Sequence, residues 1–153
     1  MARRKSTDPE STVAVVEPAY PDDSLGARYE TQLEAARIIE AGLPFSAIAH
    51  FQRASVLTLD RIKQVARLSE GSFARRKRTG HLSSDESERL LRVSRLFELA
   101  VGLFDGDRDG ARLWLDTPIP SLNDHRPLDL AQTEPGAREV EDLIGRISHG
   151  VVS

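Results

Sequence analysis

Apolar residues recur along this chain at intervals of three and four, and the strict alternation that marks a half-buried strand never appears. From Ala27 to Ala41, residues Leu33, Ala36, Ile38 and Ile39 keep helical spacing, and Gly42 with Pro44 ends the pattern, which predicts a first helix. A second helix is expected from Phe45 through Ala54. Thr58 reads as the N-cap of a third, whose apolar face is Leu59, Ile62, Val65 and Ala66. A short helix from Ser69 to Thr79 is stopped by Gly80, a residue that enters the left-handed conformation freely.

Ser83 and Glu86 have the spacing of a capping box, in which a serine side chain and a glutamate three residues on each satisfy the other's free backbone N–H. The long helix they open carries Leu90, Val93, Phe97, Ala100, Val101 and Phe104 in one stripe, the clearest periodicity in the chain. Asp107 starts another helix with Ala111, Trp114 and Leu115, closed by Pro118 and Pro120. Thr133, with Pro135 in the first turn, opens a last one with Val140, Leu143, Ile144 and Ile147 on one face. The expected fold is all-α. It is read as an arm over residues 1–26, a helical helix-turn-helix and dimerisation unit over 27–95, and a small helical domain over 96–153. The arm reading rests on three prolines, Pro9, Pro18 and Pro21, and on the isolated run Val13-Ala14-Val15-Val16, which has no counterpart elsewhere.

Charge divides this picture by position. Residues 1–52 hold 5 basic and 8 acidic side chains, residues 53–95 hold 11 and 5, and residues 96–153 hold 5 and 11, so a net charge of −3 conceals a basic middle and an acidic end. A basic middle suits a polyanion such as DNA, which the acidic end would repel; that end is better suited to a protein partner. With 153 residues and 39% hydrophobic content, the chain can bury one ordinary core or two small ones. It has no cysteine, hence no disulfide or thiolate chemistry, and no run long enough to span a membrane. The basic, then polar, start lacks a secretory signal, so a cytoplasmic location is expected.

Thr58 to Thr79, helix, tight turn at Arg67-Leu68-Ser69, second helix, is the arrangement that lays a recognition helix in the major groove. With about 100° per residue and Phe73 turned to the core, Arg75 and Arg78 point away from it, while Arg76 and Lys77 flank it and reach outward along their stems. The DNA-facing set is therefore Ser72, Arg75 and Arg78, with Arg76 beside them; arginine suits both guanine edges and phosphates through its planar fork. A four-residue basic run also fits a solvated face, and Glu70 in the first turn would sit near a phosphate. Nothing in the chain points to catalysis. The four histidines are scattered, and Asp105-Gly106-Asp107-Arg108-Asp109 lacks the glycine and closing glutamate of a calcium loop. No serine has a His-Asp neighbourhood, and no glycine-rich phosphate loop occurs. No enzyme, metal or cofactor is expected.

One stretch is more specific than any of these motifs. Ala111-Arg112-Leu113-Trp114-Leu115, Pro118, Leu122, Pro127-Leu128-Asp129-Leu130, Thr133, Gly136, Val140, Leu143-Ile144, Arg146-Ile147 and Gly150 together resemble the toxin-binding domain shared by the Xre, MbcA and ParS antitoxins. Upstream, Leu68-Ser69 through Leu82-Ser83 and the helix from Arg89 to Ala100 resemble the helix-turn-helix domain of Xre antitoxins, so the likeness covers about Phe45 to Ser153. Two positions depart from the family pattern: Asn123-Asp124 stands where a Gly-Gly pair is usual, and Lys77 where an apolar residue is usual. Asn and Asp best tolerate positive φ after glycine, so the turn is expected to survive.

The resemblance implies a non-enzymatic antitoxin that covers the active site of a RES-domain, NAD-degrading toxin, represses its own operon through operator DNA, and forms a homodimer within a larger toxin-antitoxin complex. The blocking residues it suggests are Arg146, His149, Gly150, Val151, Val152 and Ser153, with Trp114 as packing. The end of the chain is small enough to enter a cleft, and its terminal carboxylate could pair with a phosphate pocket's cations. The alternative left open by the residues is a stand-alone helix-turn-helix transcription regulator with a helical dimerisation domain.

Overall fold

A computed structural model describes residues 23–150. Eight α-helices follow a 3-10 turn at Asp23–Leu25: α1 (Gln32–Ala41), α2 (Ser46–Ser55), α3 (Leu59–Val65), α4 (Glu70–Thr79), α5 (Ser84–Leu103), α6 (Arg108–Leu115), α7 (Pro127–Leu130) and α8 (Glu134–Ser148). No strand occurs among the described residues; two isolated bridges pair Pro44 with His81 and Ile119 with His125.

The expected caps are made. Thr58, Ser69, Ser83, Asp107 and Thr133 each accept, through the side-chain oxygen, the backbone N–H three residues on, which satisfies one of the orphan donors at a helix start. At Ser83 the box closes in both directions. Gly80 ends α4 in the left-handed region, at φ 85°.

The long helix α5 is the axis of the molecule. Beyond its expected stripe, Leu91, Leu96, Ser87, Ser94 and Arg92 are also buried, because α1, α2, α3, α6 and α8 all pack against it. Small polar residues can line such a helix when their hydroxyls are hydrogen-bonded. Ser87 Oγ accepts the Leu43 N–H at 2.8 Å, and the Ser94 hydroxyl donates to Leu91 O at 3.0 Å. The helix continues without a break through 95–96, where the two domains were divided.

Three expectations change. Helix α1 begins at Gln32, capped by Thr31, and not at Ala27. Its packed face is Ala35 with the partly buried Ile38 and Ile39, while Leu33 stands 63% exposed on the opposite side of the expected stripe. The arm does not extend to residue 26: Leu25 and Tyr29 are 1% and 2% exposed and belong to the core, packed with the 3-10 turn against α2. Residues 1–22, with the Val13–Val16 run, lie outside the described residues. Finally, Pro127–Leu130, to which no helix was assigned, forms the one-turn helix α7, with Pro127 and Leu128 buried.

The segment joining α6 to α7 tests the substituted pair. Asn123 and Asp124 both take positive φ, 53° and 59°, in the turn closed by the Ile119 N–H donating to His125 O at 3.1 Å. The two residue types that best replace glycine in that conformation therefore hold the turn.

Candidate functional site

Helices α3 and α4 form the helix-turn-helix, joined through Arg67 at φ 53° and the buried Leu68. No side chain of α4 is fully buried. Its seat is Phe73, whose ring meets Phe45 edge-on at 5.1 Å, with the Lys63 ammonium 4.3 Å from the Phe73 centroid. Lys63 also pairs with Glu70 at 3.0 Å, so the carboxylate expected to sit near a phosphate is partly neutralised from α3.

Of the four basic residues, Arg75, Lys77 and Arg78 are exposed and Arg76 is drawn inward. The Arg76 Nε donates to Glu86 Oε1 at 2.7 Å, and the same oxygen accepts the Ser83 N–H at 2.8 Å. Burial alone would raise the Glu86 pKa; the hydrogen bonds from Ser83 and Arg76 and the nearby guanidinium outweigh it and hold the carboxyl below its ordinary range. Arg76 thus locks α4 to the start of α5. The reading that sent its side chain outward is corrected, because an ion-pair partner was available three residues past Ser83, on the residue that also completes the cap. Ser72 is half-buried and its hydroxyl oxygen meets Ser69 Oγ at 3.0 Å. The exposed cationic face is Arg75, Lys77 and Arg78, with Arg67 exposed in the turn. Arg67 was missed because composition does not reveal a positive-φ turn residue's direction.

The second candidate surface is formed by the C-terminal helices α6 to α8. Helix α8 buries Ala137, Val140, Leu143 and Ile144, leaving Arg146, Ile147, His149 and Gly150 exposed at its end; Val151, Val152 and Ser153 lie outside the described residues. Gly150 has φ 70°, and a Cβ built there would meet nothing within 4 Å. On α6, Ala111 and Leu115 face inward, and Trp114 packs at 6.3 Å from Phe104, as a packing residue should. Its neighbour Leu113, named only within the family resemblance and not as a site residue, is 63% exposed. Two aspartates of this region have structural work. Asp107 caps α6, and Asp116, a few residues on, accepts from Arg61 Nε and Nη2 at 3.1 and 2.7 Å.

Arg61 joins the two surfaces mechanically. From α3 it reaches Asp116 after α6 and Asp129 on α7, the latter at 2.9 Å, and its side chain is 12% exposed. Arg108, from α6, donates to Ala54 O at 3.1 Å. These contacts bind the helix-turn-helix half to the C-terminal half.

Residues 34–95 match the family described as the antitoxin Xre-like helix-turn-helix domain, and residues 99–150 match the antitoxin Xre/MbcA/ParS C-terminal toxin-binding domain. The curated protein "Antitoxin Xre" of Photorhabdus laumondii is 38% identical over 117 residues, 76% of this chain and 79% of that protein. The chain belongs to the Xre antitoxin family. A second "Antitoxin Xre", from Yersinia enterocolitica, is 48% identical over 79 residues, 52% of this chain and 53% of that protein. One from Pseudomonas putida is 30% identical over 77 residues, covering 50% and 48%. These relatives are antitoxins and not enzymes, and the C-terminal surface of α6 to α8 lies in the antitoxin's toxin-binding domain. Among the described residues no helix is long and apolar enough to cross a membrane.

Proposed function

We propose that this antitoxin neutralises a RES-domain toxin that degrades NAD, and that the end of α8 supplies the group that closes the toxin's catalytic mouth. The observation that supports this most directly is the exposed end Arg146, Ile147, His149 and Gly150, in a domain whose family binds toxins. A cation and a half-exposed isoleucine at the end of α8 give an anchor, and Val151 to Ser153, which follow it in the sequence, are the proposed plug. Deleting Gly150 to Ser153 removes nothing buried among the described residues, so helicity and melting temperature should stay unchanged. Affinity for the toxin should fall at least tenfold, about 1.4 kcal/mol, and NAD consumption should return. Full inhibition by the truncated chain, measured as NAD loss at fixed toxin, would remove the tail from the mechanism.

The second arm of the proposal is repression of the antitoxin's own operon by a homodimer reading paired half-sites through α4. Arg75 and Arg78 support it as exposed cations one turn apart on the second helix of a helix-turn-helix, with Ser72 at its start. Replacing both arginines by alanine should weaken the shift of an upstream operator fragment and lower the salt slope by about 1 for each phosphate contact removed. An unchanged slope would assign these arginines to a solvated face. The stand-alone regulator is the weaker reading, because it leaves the toxin-binding domain over 99–150 without a task.

A further inference from the structure

Between α2 and α3 the chain turns within three residues, Val56, Leu57 and Thr58. The corner is held by its own hydrogen bonds: the Val56 N–H donates to Gln52 O at 3.0 Å, and the Ser55 hydroxyl, which donates to Phe51 O at 2.6 Å, accepts the Leu57 N–H at 3.2 Å. This geometry puts Val56 in the left-handed region, at φ 59°, where a helix ordinarily ends in glycine or asparagine. A β-branched residue is the poorest choice there, because its crowded Cβ meets the neighbouring carbonyl. Nor does the side chain repay that strain inside the molecule. Leu57 fills the core, while Val56 is 54% exposed. A residue strained in its backbone and wet on its methyls serves neither the corner nor the core, and strain of this kind is retained where a contact needs it.

The corner borders the toxin-binding domain. Arg108, at the start of α6, donates to Ala54 O at 3.1 Å, and Arg61 on α3 reaches Asp116 just past the end of α6. Leu113, the other large apolar side chain exposed in this part of the molecule, stands on α6 between those two ties. The surrounding charge favours a protein over DNA. Asp60 on α3 and Asp109 on α6 are exposed and pair with no cation, whereas Arg108 is engaged by Glu98 and Arg61 by Asp116 and Asp129. We propose that Val56 is a toxin-contacting residue supplied by the helix-turn-helix half, which extends the toxin-binding surface beyond residues 99–150 and docks into an apolar pocket of the toxin rimmed by Lys or Arg. The inference rests on the toxin reading above and is independent of the tail at the end of α8.

Stability and binding should separate at this position. Val56→Asn and Val56→Gly both fit a left-handed corner, so each full-length variant should melt no lower than the parent. Both should bind the RES-domain toxin about tenfold more weakly or worse, the loss expected when a valine no longer leaves water at an interface. Leu33→Asn, which removes an equally exposed leucine from α1, should bind as the parent does. In the methyl-labelled parent, one equivalent of toxin should shift the Val56 and Leu113 resonances and leave those of Leu33 in place. Parent-like affinity in Val56→Asn, or Val56 methyls that do not move, overturns the proposal. So does a Val56→Asn chain that keeps the toxin but loses its self-association or its operator shift, because the occupant would then be a second copy or DNA. If deleting Gly150 to Ser153 leaves inhibition intact while Val56→Asn abolishes it, the tail reading fails and this one stands; the reverse result removes Val56 and keeps the tail.

Discussion

Phe97→Ala should cost the antitoxin about 3–5 kcal/mol of stability, the range for removing a fully buried phenylalanine when the surroundings cannot collapse onto the space. Phe97 and Phe51 are both fully buried and meet edge-to-face at 6.0 Å, joining α5 to α2. From the other side the Arg108 guanidinium of α6 lies 5.6 Å from the Phe97 centroid. One ring thus carries contacts from both family regions, and its loss should be felt in both. In urea, the single tryptophan, Trp114, reports the C-terminal half and circular dichroism reports all helices. Both transitions should move to lower denaturant together. If Trp114 fluorescence kept its original midpoint while ellipticity moved, the toxin-binding half would be folding alone, and α5 would not be the shared axis described above.

What the chain discloses about itself follows from how local each signal is. Caps depend on residues three apart, so Thr58, Ser69, Ser83, Asp107 and Thr133 could be read directly, and with them the helix starts. The stripe of α5 was legible for the same reason. Its all-round burial was not, because that depends on helices that sit beside it only after folding. Leu33 shows the converse: of four apolar residues at helical spacing, only Ile38 and Ile39 pack against the core, beside Ala35, whose small side chain permits close approach. The Arg61 clamp spans 55 residues to Asp116, and no window along the sequence connects them. At the site level, Arg75 and Arg78 were assigned by angle around α4, which geometry fixes. Arg76 was misplaced because its partner Glu86 belongs to the next helix. The end of α8 was approached through resemblance, and the exposure of Arg146 and His149 is a property of the folded chain that periodicity does not give.

Two glycines on α8 should respond to alanine with opposite signs. Inside a helix, Gly→Ala is ordinarily favourable by about 1 kcal/mol, since alanine restricts the unfolded chain and glycine is the poorer helix former. At Gly145 nothing lies within 4 Å of a Cβ, so Gly145→Ala should show that gain. At Gly136 the added Cβ would lie 2.0 Å from Leu130 O and 2.8 Å from Leu130 C, both backbone atoms of α7. Neither can swing aside as a flexible side chain would. The chain between them is tied on one side by the Thr133 cap, which accepts the Gly136 N–H, and on the other by buried Leu128. Relief therefore requires α7 and α8 to separate, opening the contact that aligns α8 and leaving Asp129 displaced from Arg61. A loss of about 3 kcal/mol, the upper end of overpacking costs, is expected for Gly136→Ala in thermal or urea unfolding. Because α8 carries Arg146 and aims His149 and Gly150 beyond it, toxin inhibition should weaken with it even at temperatures where the chain stays folded, whereas Gly145→Ala should inhibit as the parent does. A Gly136→Ala chain as stable and as inhibitory as Gly145→Ala would mean that α7 does not set the direction in which α8 presents its end.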